Sequence, residues 1–191
     1  CAEALATKAS GENALAGGLP TIAGTAIAEA CEETLFREGL SAFAAVQKGL
    51  VTPAVEAIVE ANTLLSGLGF ENGGLAAAHA IHNGFTAIKG EVHRLTHGEI
   101  VGFCLLVQLI LEERPQEEFK RYSRFLAAIG MPTTLAEMHL TGATREELLE
   151  IGKLAVAPSN TMKNLNKNIT AEQVVAAILA VDTFIGKEEK E

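Results

Sequence analysis

The spacing of hydrophobic and polar positions is helical along almost the whole chain. Apolar residues recur every three or four positions, and the β-branched runs that mark strands are nearly absent. Glycine and proline interrupt this pattern at short intervals. We therefore predict an all-α fold, a bundle of roughly eight helices with short connections and no linker that divides the chain.

Threonines mark the helix starts in the first third of the chain. Thr21 opens a helix that we expect to end at Gly39. Thr52 precedes Pro53, the usual order of an N-cap and a first helical residue, and predicts a second long helix. The sequence SGLGF at 66–70 predicts a glycine-rich exit from that helix.

Capping boxes mark the later helices. In this motif the side chains of an N-cap threonine and of a Glu or Gln three positions on each bond the other residue's backbone N–H. The pairs are Thr96 with Glu99, Thr144 with Glu147, and Thr170 with Gln173. Between the last two helices, we interpret the polar segment 158–168 as a loop.

Composition narrows the class of protein. A chain of 191 residues has room for one good core. Its net charge of −9 argues against nucleic acid or an anionic membrane surface as a partner, and no apolar run is of membrane-spanning length. Three cysteines without CxxC spacing predict reduced thiols in a cytoplasmic protein. The sequence begins with Cys1 rather than Met, and a helical pattern starts immediately after it, so we expect a piece of a longer protein.

Four of the five histidines lie within residues 73–99, in the most apolar region of the chain. His79, His82 and Asn83 share one face of a predicted helix, among alanines and glycines that let a ligand or another backbone come close. His97 lies in the first turn of the next helix, where partial positive charge favours a neutral imidazole. Neutral imidazole is the form that binds a metal.

Histidines from adjacent helices could therefore converge on one divalent ion, for which Zn²⁺ is the natural candidate. The competing interpretation is that they are core or interface residues bonded to carbonyl groups. Spacing alone does not choose His79 over His82, or His97 over His93. A catalytic zinc usually has three protein ligands, and the only aspartate is Asp182.

Nearby glutamates have other roles, since Glu99 would cap its own helix and Glu91 lies in an exposed turn. We therefore expect the third ligand outside this chain.

Two stretches of the histidine region resemble the glycerol dehydrogenase family. They are SGLGFENGGLAAAHAIHNG at 66–84 and THGEIV at 96–101. VTPAVEAIVEANTLLSGLGF at 51–70 extends the resemblance, and weaker similarity runs from Ala2 to about residue 185. This family belongs to the superfamily of iron-containing alcohol dehydrogenases and dehydroquinate synthase-like enzymes.

The resemblance implies that residues 1–191 are the C-terminal all-α metal-binding domain, and that the N-terminal NAD-binding domain is absent from this chain. It implies NAD-dependent oxidation of glycerol, or another vicinal diol, to dihydroxyacetone at Zn²⁺ or another divalent metal such as Fe²⁺. The metal ion would lower the pKa of a substrate hydroxyl, and hydride would pass to the nicotinamide.

The resemblance also implies residue roles. His79 and His97 match the family's metal ligands, and Phe70 matches a phenylalanine beside the substrate. His82 and Asn83 are candidates for supporting a ligand or contacting the cofactor. No catalytic residue is implied beyond the metal ligands, and the third ligand, an aspartate upstream of this chain, matches no residue present.

The remaining histidines and cysteines we expect to be structural. His93 and His139 are interpreted as surface or structural residues, and Cys31 and Cys104 as small core residues. One departure from the family lies in Thr161–Met162–Lys163–Asn164, where relatives carry a histidine before the asparagine.

Two alternatives stay open. One is another metal-dependent alcohol dehydrogenase of the superfamily, although few basic residues near the histidines argue against a phosphate-bearing substrate. The other is a stand-alone helical module, metal-binding or structural, without catalysis. As partners we expect a small polyol and, by analogy, further copies of the chain in a homo-oligomer, with no nucleic acid and no membrane.

Overall fold

The computed structural model describes residues 1–188 and confirms the all-α prediction, since the described residues contain no strand. The helices form two compact units, Cys1–Ala76 and a second one that begins at Ala77. The boundary lies between two adjacent alanines rather than in a linker. No described helix combines the length and apolarity that crossing a bilayer requires.

The first unit has four α-helices. They are α1 (Ala2–Ser10), α2 (Ile22–Val46), α3 (Pro53–Glu60) and α4 (Ser66–Gly73). A π-helical turn, Ala61–Leu65, joins α3 to α4, so that one continuous helix runs from Pro53 to Gly73. Thr21 and Thr52 cap α2 and α3 as predicted.

Small residues let the helices of the first unit approach closely. A Cβ added at Gly69 would lie 3.2 Å from the Cα of Ala28, on the facing helix α2. A Cβ at Gly73 would lie only 2.6 Å from the Cβ of Ala4 in α1. Gly69 and Gly73 therefore serve close helix packing.

Two expectations about glycine are wrong. Helix α2 does not end at Gly39 but continues to Val46, and the SGLGF segment is helical rather than an exit. An interior glycine costs a helix about 1 kcal/mol relative to alanine. Because Gly69 is buried against α2, close packing offsets that cost.

The second unit contains the rest of the described chain. Its helices are α5 (Ala77–Gly84), α6 (His97–Leu111), α7 (Gln116–Ala128), α8 (Arg145–Ala155), α9 (Lys163–Asn166) and α10 (Ala171–Glu188). Short 3₁₀ turns, Phe85–Ala87 and Glu91–Arg94, lie between α5 and α6. The predicted loop 158–168 is wrong in part, because α9 forms a single helical turn within it.

The core of the second unit lies between α5, α6, α8 and α10. Its fully buried apolar side chains include Ile81, Phe103, Leu106, Ile151 and Ile178. At Gly84 the backbone of α8 comes so close that an added Cβ would overlap the carbonyl oxygen of Ile151. The neighbour of this glycine is therefore another helix.

The three predicted capping boxes are confirmed by reciprocal hydrogen bonds. The N-cap backbone N–H donates to the Glu or Gln side chain at 2.6 Å for Thr96, 2.8 Å for Thr144 and 2.8 Å for Thr170. Each threonine hydroxyl oxygen accepts the backbone N–H three residues on. Cys31 and Cys104 are buried thiols, as expected of core residues.

Candidate metal site

The first turn of α5 carries His79 and is anchored by a buried amide. The backbone N–H of Ala78 donates to Oε1 of Gln108 at 2.9 Å, and Gln108 is fully buried in α6. The side-chain nitrogen of Gln108, Nε2, donates to Oε1 of Glu112 at 2.7 Å. This buried bond holds the start of α5 against α6, immediately beside His79.

His97 is the first residue of α6, and the capping box sets its backbone position. The hydroxyl oxygen of Thr96 accepts from the backbone N–H of Glu99 at 3.4 Å, and the Glu99 carboxylate accepts from Thr96 in return. Hydrogen bonds from the hydroxyl and the backbone N–H of Thr96 lower the pKa of Glu99. The Glu99 carboxylate thus serves the helix cap, as its sequence position predicts.

The packing of α5 on α6 brings three imidazoles together. The ring centroids of His79 and His97 are 5.5 Å apart. Two imidazoles on one tetrahedral zinc, with Zn–N near 2.0 Å, have centroids about 5 Å apart, so this pair fits a shared ion. The ring of His82 lies 4.4 Å from that of His97 in an edge-to-face arrangement.

His82 is hydrogen-bonded rather than isolated. Its Nε2 lies 3.1 Å from Nδ1 of His97, and its Nδ1 lies 3.3 Å from Oδ1 of Asn83. Partial burial lowers the pKa of His82, and the two neighbouring histidines lower it further, although the Asn83 bond acts in the opposite direction. Its surroundings therefore favour the neutral ring.

The donor set within the described residues is incomplete. No group of three or more His, Cys, Asp or Glu side chains in this part of the chain could hold a metal ion. The Asp182 carboxylate accepts from the backbone N–H of Leu135 at 2.7 Å, and exposed Glu91 pairs with Arg94. The residues present fit two ligands of a larger set.

Of the other predicted residues, His93 and His139 belong to the second unit and Phe70 to the first. Nε2 of His93 lies 2.7 Å from the carbonyl oxygen of Ile88 and must carry a proton to donate there, which is a structural contact. His139 is exposed, with a left-handed φ of 58°. Phe70 lies in α4 of the first unit and is 43% exposed, and its role beside a substrate stays a prediction.

Sequence reasoning missed two residues that support the histidines. Gln108 had a visible signal, because it is a lone amide inside the apolar run FCLLVQLIL. Asn160 had none, since it lies in a polar segment interpreted as a loop. Its Oδ1 accepts from Nδ2 of Asn83 at 3.0 Å, which connects that segment to the histidine face of α5.

Comparisons with known proteins support the resemblance to glycerol dehydrogenases. Glycerol dehydrogenase 1 of Schizosaccharomyces pombe is 48% identical over 182 residues, 95% of this chain and 40% of that protein. Glycerol dehydrogenase of Escherichia coli is 44% identical over 182 residues, 95% of this chain and 49% of that one. A crystal structure of glycerol dehydrogenase from S. pombe superposes with a TM-score of 0.96, at 46% identity, over 99% of this chain and 49% of that chain.

No protein-family model matches the chain. The chain spans about half the length of the curated relatives that it matches.

Proposed function

The chain corresponds in sequence and fold to the C-terminal domain of glycerol dehydrogenases, and on this basis we propose that it supplies the metal-binding half of such an enzyme. The proposed reaction is the NAD-dependent oxidation of glycerol, or a related vicinal diol, to dihydroxyacetone. The observation that carries the proposal is the 5.5 Å separation of the His79 and His97 rings on adjacent helices.

His79 and His97 would hold a divalent ion, with Zn²⁺ favoured by imidazole nitrogen ligands. Such an ion supplies Lewis-acid stabilisation of developing negative charge on a substrate oxygen. The contribution of this chain is to fix the two donors. Gln108 anchors the start of α5 beside His79, and the Thr96 cap sets the start of α6 at His97.

A third ligand and most contacts to NAD would come from a part of the enzyme outside this chain. Two observations support this proposal: the incomplete donor set and the greater length of the relatives. We accordingly expect the 191-residue chain alone to bind metal weakly and not to oxidise glycerol.

The proposal includes self-association through the first unit. Large apolar side chains are exposed along the end of α2 and the connection that follows it. They are Leu40, Phe43, Val46, Leu50 and Val51. Contiguous exposed apolar surface is typical of protein interfaces, and light scattering would measure the oligomeric state.

The decisive experiment is a titration of the metal-free chain with Zn²⁺, followed through the NMR signals of the histidine rings. We expect the rings of His79 and His97 to respond together, and the double variant His79→Ala/His97→Ala to lose the binding. His139→Asn is the matched control, because it removes an exposed imidazole from the same unit while asparagine tolerates the left-handed backbone.

Each outcome separates the proposal from its alternatives. Zinc binding that persists in the double variant would refute the ligand assignment. Glycerol oxidation by the 191-residue chain alone would refute the proposal that a part of the enzyme outside this chain supplies the third ligand and most contacts to NAD. If a longer protein containing this chain binds zinc but does not reduce NAD with glycerol, the helical module or a different alcohol dehydrogenase would be favoured.

A further inference from the structure

A chain of side-chain hydrogen bonds runs from the segment after α8 to the histidines. Asn160 bonds Asn83 at 3.0 Å, Asn83 bonds His82 at 3.3 Å, and His82 bonds His97 at 3.1 Å. Amides and imidazoles each have a donor side and an acceptor side. The direction of the first bond therefore constrains the direction of every later one.

The backbone fixes the orientation of the Asn160 amide. Its Nδ2 faces the carbonyl oxygens of Leu154 at 3.1 Å and Ala80 at 3.4 Å, which can only accept. Its Oδ1 faces the backbone N–H of Thr161 at 3.1 Å, which can only donate. The flipped amide would place donor against donor and acceptor against acceptor, so one orientation is selected.

The orientation of Asn160 then sets that of Asn83. Because Oδ1 of Asn160 is an acceptor, the Asn83 group that faces it must be the NH₂ group. The carbonyl oxygen of Asn83 is then left facing Nδ1 of His82. An oxygen acceptor at this position requires a proton on Nδ1 of His82.

From these contacts we infer that the network selects one tautomer of His97, with its proton on Nδ1 and a free lone pair on Nε2. A neutral His82 with its proton on Nδ1 has an acceptor at Nε2, so Nδ1 of His97 must donate to it. The opposite direction would require protons on both nitrogens of His82. Asn160 is thus a positioning residue that acts through Asn83 and His82.

This inference rests on the proposed function, because the tautomer of His97 has a role only if His97 binds a metal. Metal-binding histidines typically donate their second ring N–H to a partner, which fixes the tautomer and the ring direction. Here that partner would be His82, with His97 coordinating through Nε2. Spacing alone does not choose between His79 and His82 as a ligand, and in this network His82 supports His97 rather than binding the metal itself.

Long-range ¹H–¹⁵N NMR of the metal-free chain with ¹⁵N-labelled histidine tests the tautomers directly. Protonated and unprotonated ring nitrogens have well-separated ¹⁵N shifts, and at about pH 8 an ordinary histidine is neutral. We expect His82 and His97 both to carry the proton on Nδ1. A proton on Nε2 of His97 would overturn the inference.

The role of Asn160 is tested by Asn160→Ala against the matched control Asn168→Ala, an exposed asparagine of the same segment. We expect Asn160→Ala to average the ring-nitrogen shifts of His82 and His97, because the Asn83 amide can then rotate. The control should leave both rings unchanged. Unaltered tautomers in a folded Asn160→Ala chain would refute its positioning role.

Should Asn160→Ala fail to fold by circular dichroism, the exposed residue Asn83 provides a second variant, Asn83→Ala, with the same expected loss. Zinc titration separates this inference from the proposed function. We expect Asn160→Ala to weaken Zn²⁺ binding about tenfold, as loss of an outer partner does. If the tautomers are as inferred but Zn²⁺ disturbs neither His79 nor His97, the metal site fails and the network stands.

Discussion

Replacing Thr96 with alanine tests whether the cap of α6 positions His97. The substitution removes the hydroxyl oxygen that accepts from the backbone N–H of Glu99. Thr144→Ala is the matched control, because Thr144 makes the same capping box at α8. The residue after Thr96 is the proposed ligand His97, whereas the residue after Thr144 is Arg145.

The two variants should lose similar stability. Each loses one N-cap acceptor, at 3.4 Å in α6 and at 3.2 Å in α8, while the backbone N–H of the cap keeps its carboxylate partner. Loss of a threonine N-cap costs about 1 kcal/mol. For a chain of this size that lowers the melting temperature by about 2–4 °C.

Metal affinity should separate the two variants. If the first turn of α6 frays, His97 no longer holds its place opposite His79, and we expect Zn²⁺ affinity to fall about tenfold, or 1.4 kcal/mol. Calorimetric titration of both variants, after melting curves have matched their stability, measures this difference. Equal loss of Zn²⁺ affinity in Thr96→Ala and Thr144→Ala would show that general destabilisation, and not the position of His97, is responsible.

Three further predictions concern the scaffold around the histidines. Gln108→Leu should destabilise the chain by about 1–3 kcal/mol in urea unfolding, because the buried N–H of Ala78 loses its acceptor; an unchanged midpoint would contradict this. Gly84→Ala should cost about 1–3 kcal/mol through overlap with α8, whereas Gly142→Ala, where a Cβ meets no atom within 4 Å, should be nearly neutral; equal effects would refute the packing argument. Burial would raise the pKa of Glu137, but hydrogen bonds from Thr133 and Thr134 lower it overall. The ionised carboxylate therefore stabilises the folded chain above its ordinary pKa of 4.5, and this stabilisation is lost as the pH falls through the lowered value. The stability gap between the parent chain and Glu137→Gln should therefore shrink on acidification, and a constant gap would count against this assignment.

Helix starts were predictable because capping is local. Thr96 and Glu99 are three residues apart, and their side chains meet as soon as the helix forms. The effect of a glycine on a helix was not predictable from local sequence. Whether Gly69 ends a helix or packs inside one depends on Ala28, which is distant in sequence and comes close only in the folded unit.

The candidate site shows the same contrast between local signals and contacts that form only in the folded chain. The likeness to a family pointed to His79 and His97, but the bond between His82 and His97 joins residues fifteen positions apart and exists only because α5 packs on α6. Asn160 is a further 77 positions from its partner Asn83. No local pattern could distinguish it from the other asparagines of its segment.

The π-helical turn between α3 and α4 determines which side of α4 faces α2, and so whether Gly69 contacts Ala28. Such a turn accommodates one residue more than a regular helix would, and one residue corresponds to about 100° of rotation around the helix axis. Deleting a single residue from Ala61–Leu65 would restore regular α-helical bonding but turn Gly69 away from Ala28. In this segment the less regular backbone is the one that lets two helices touch.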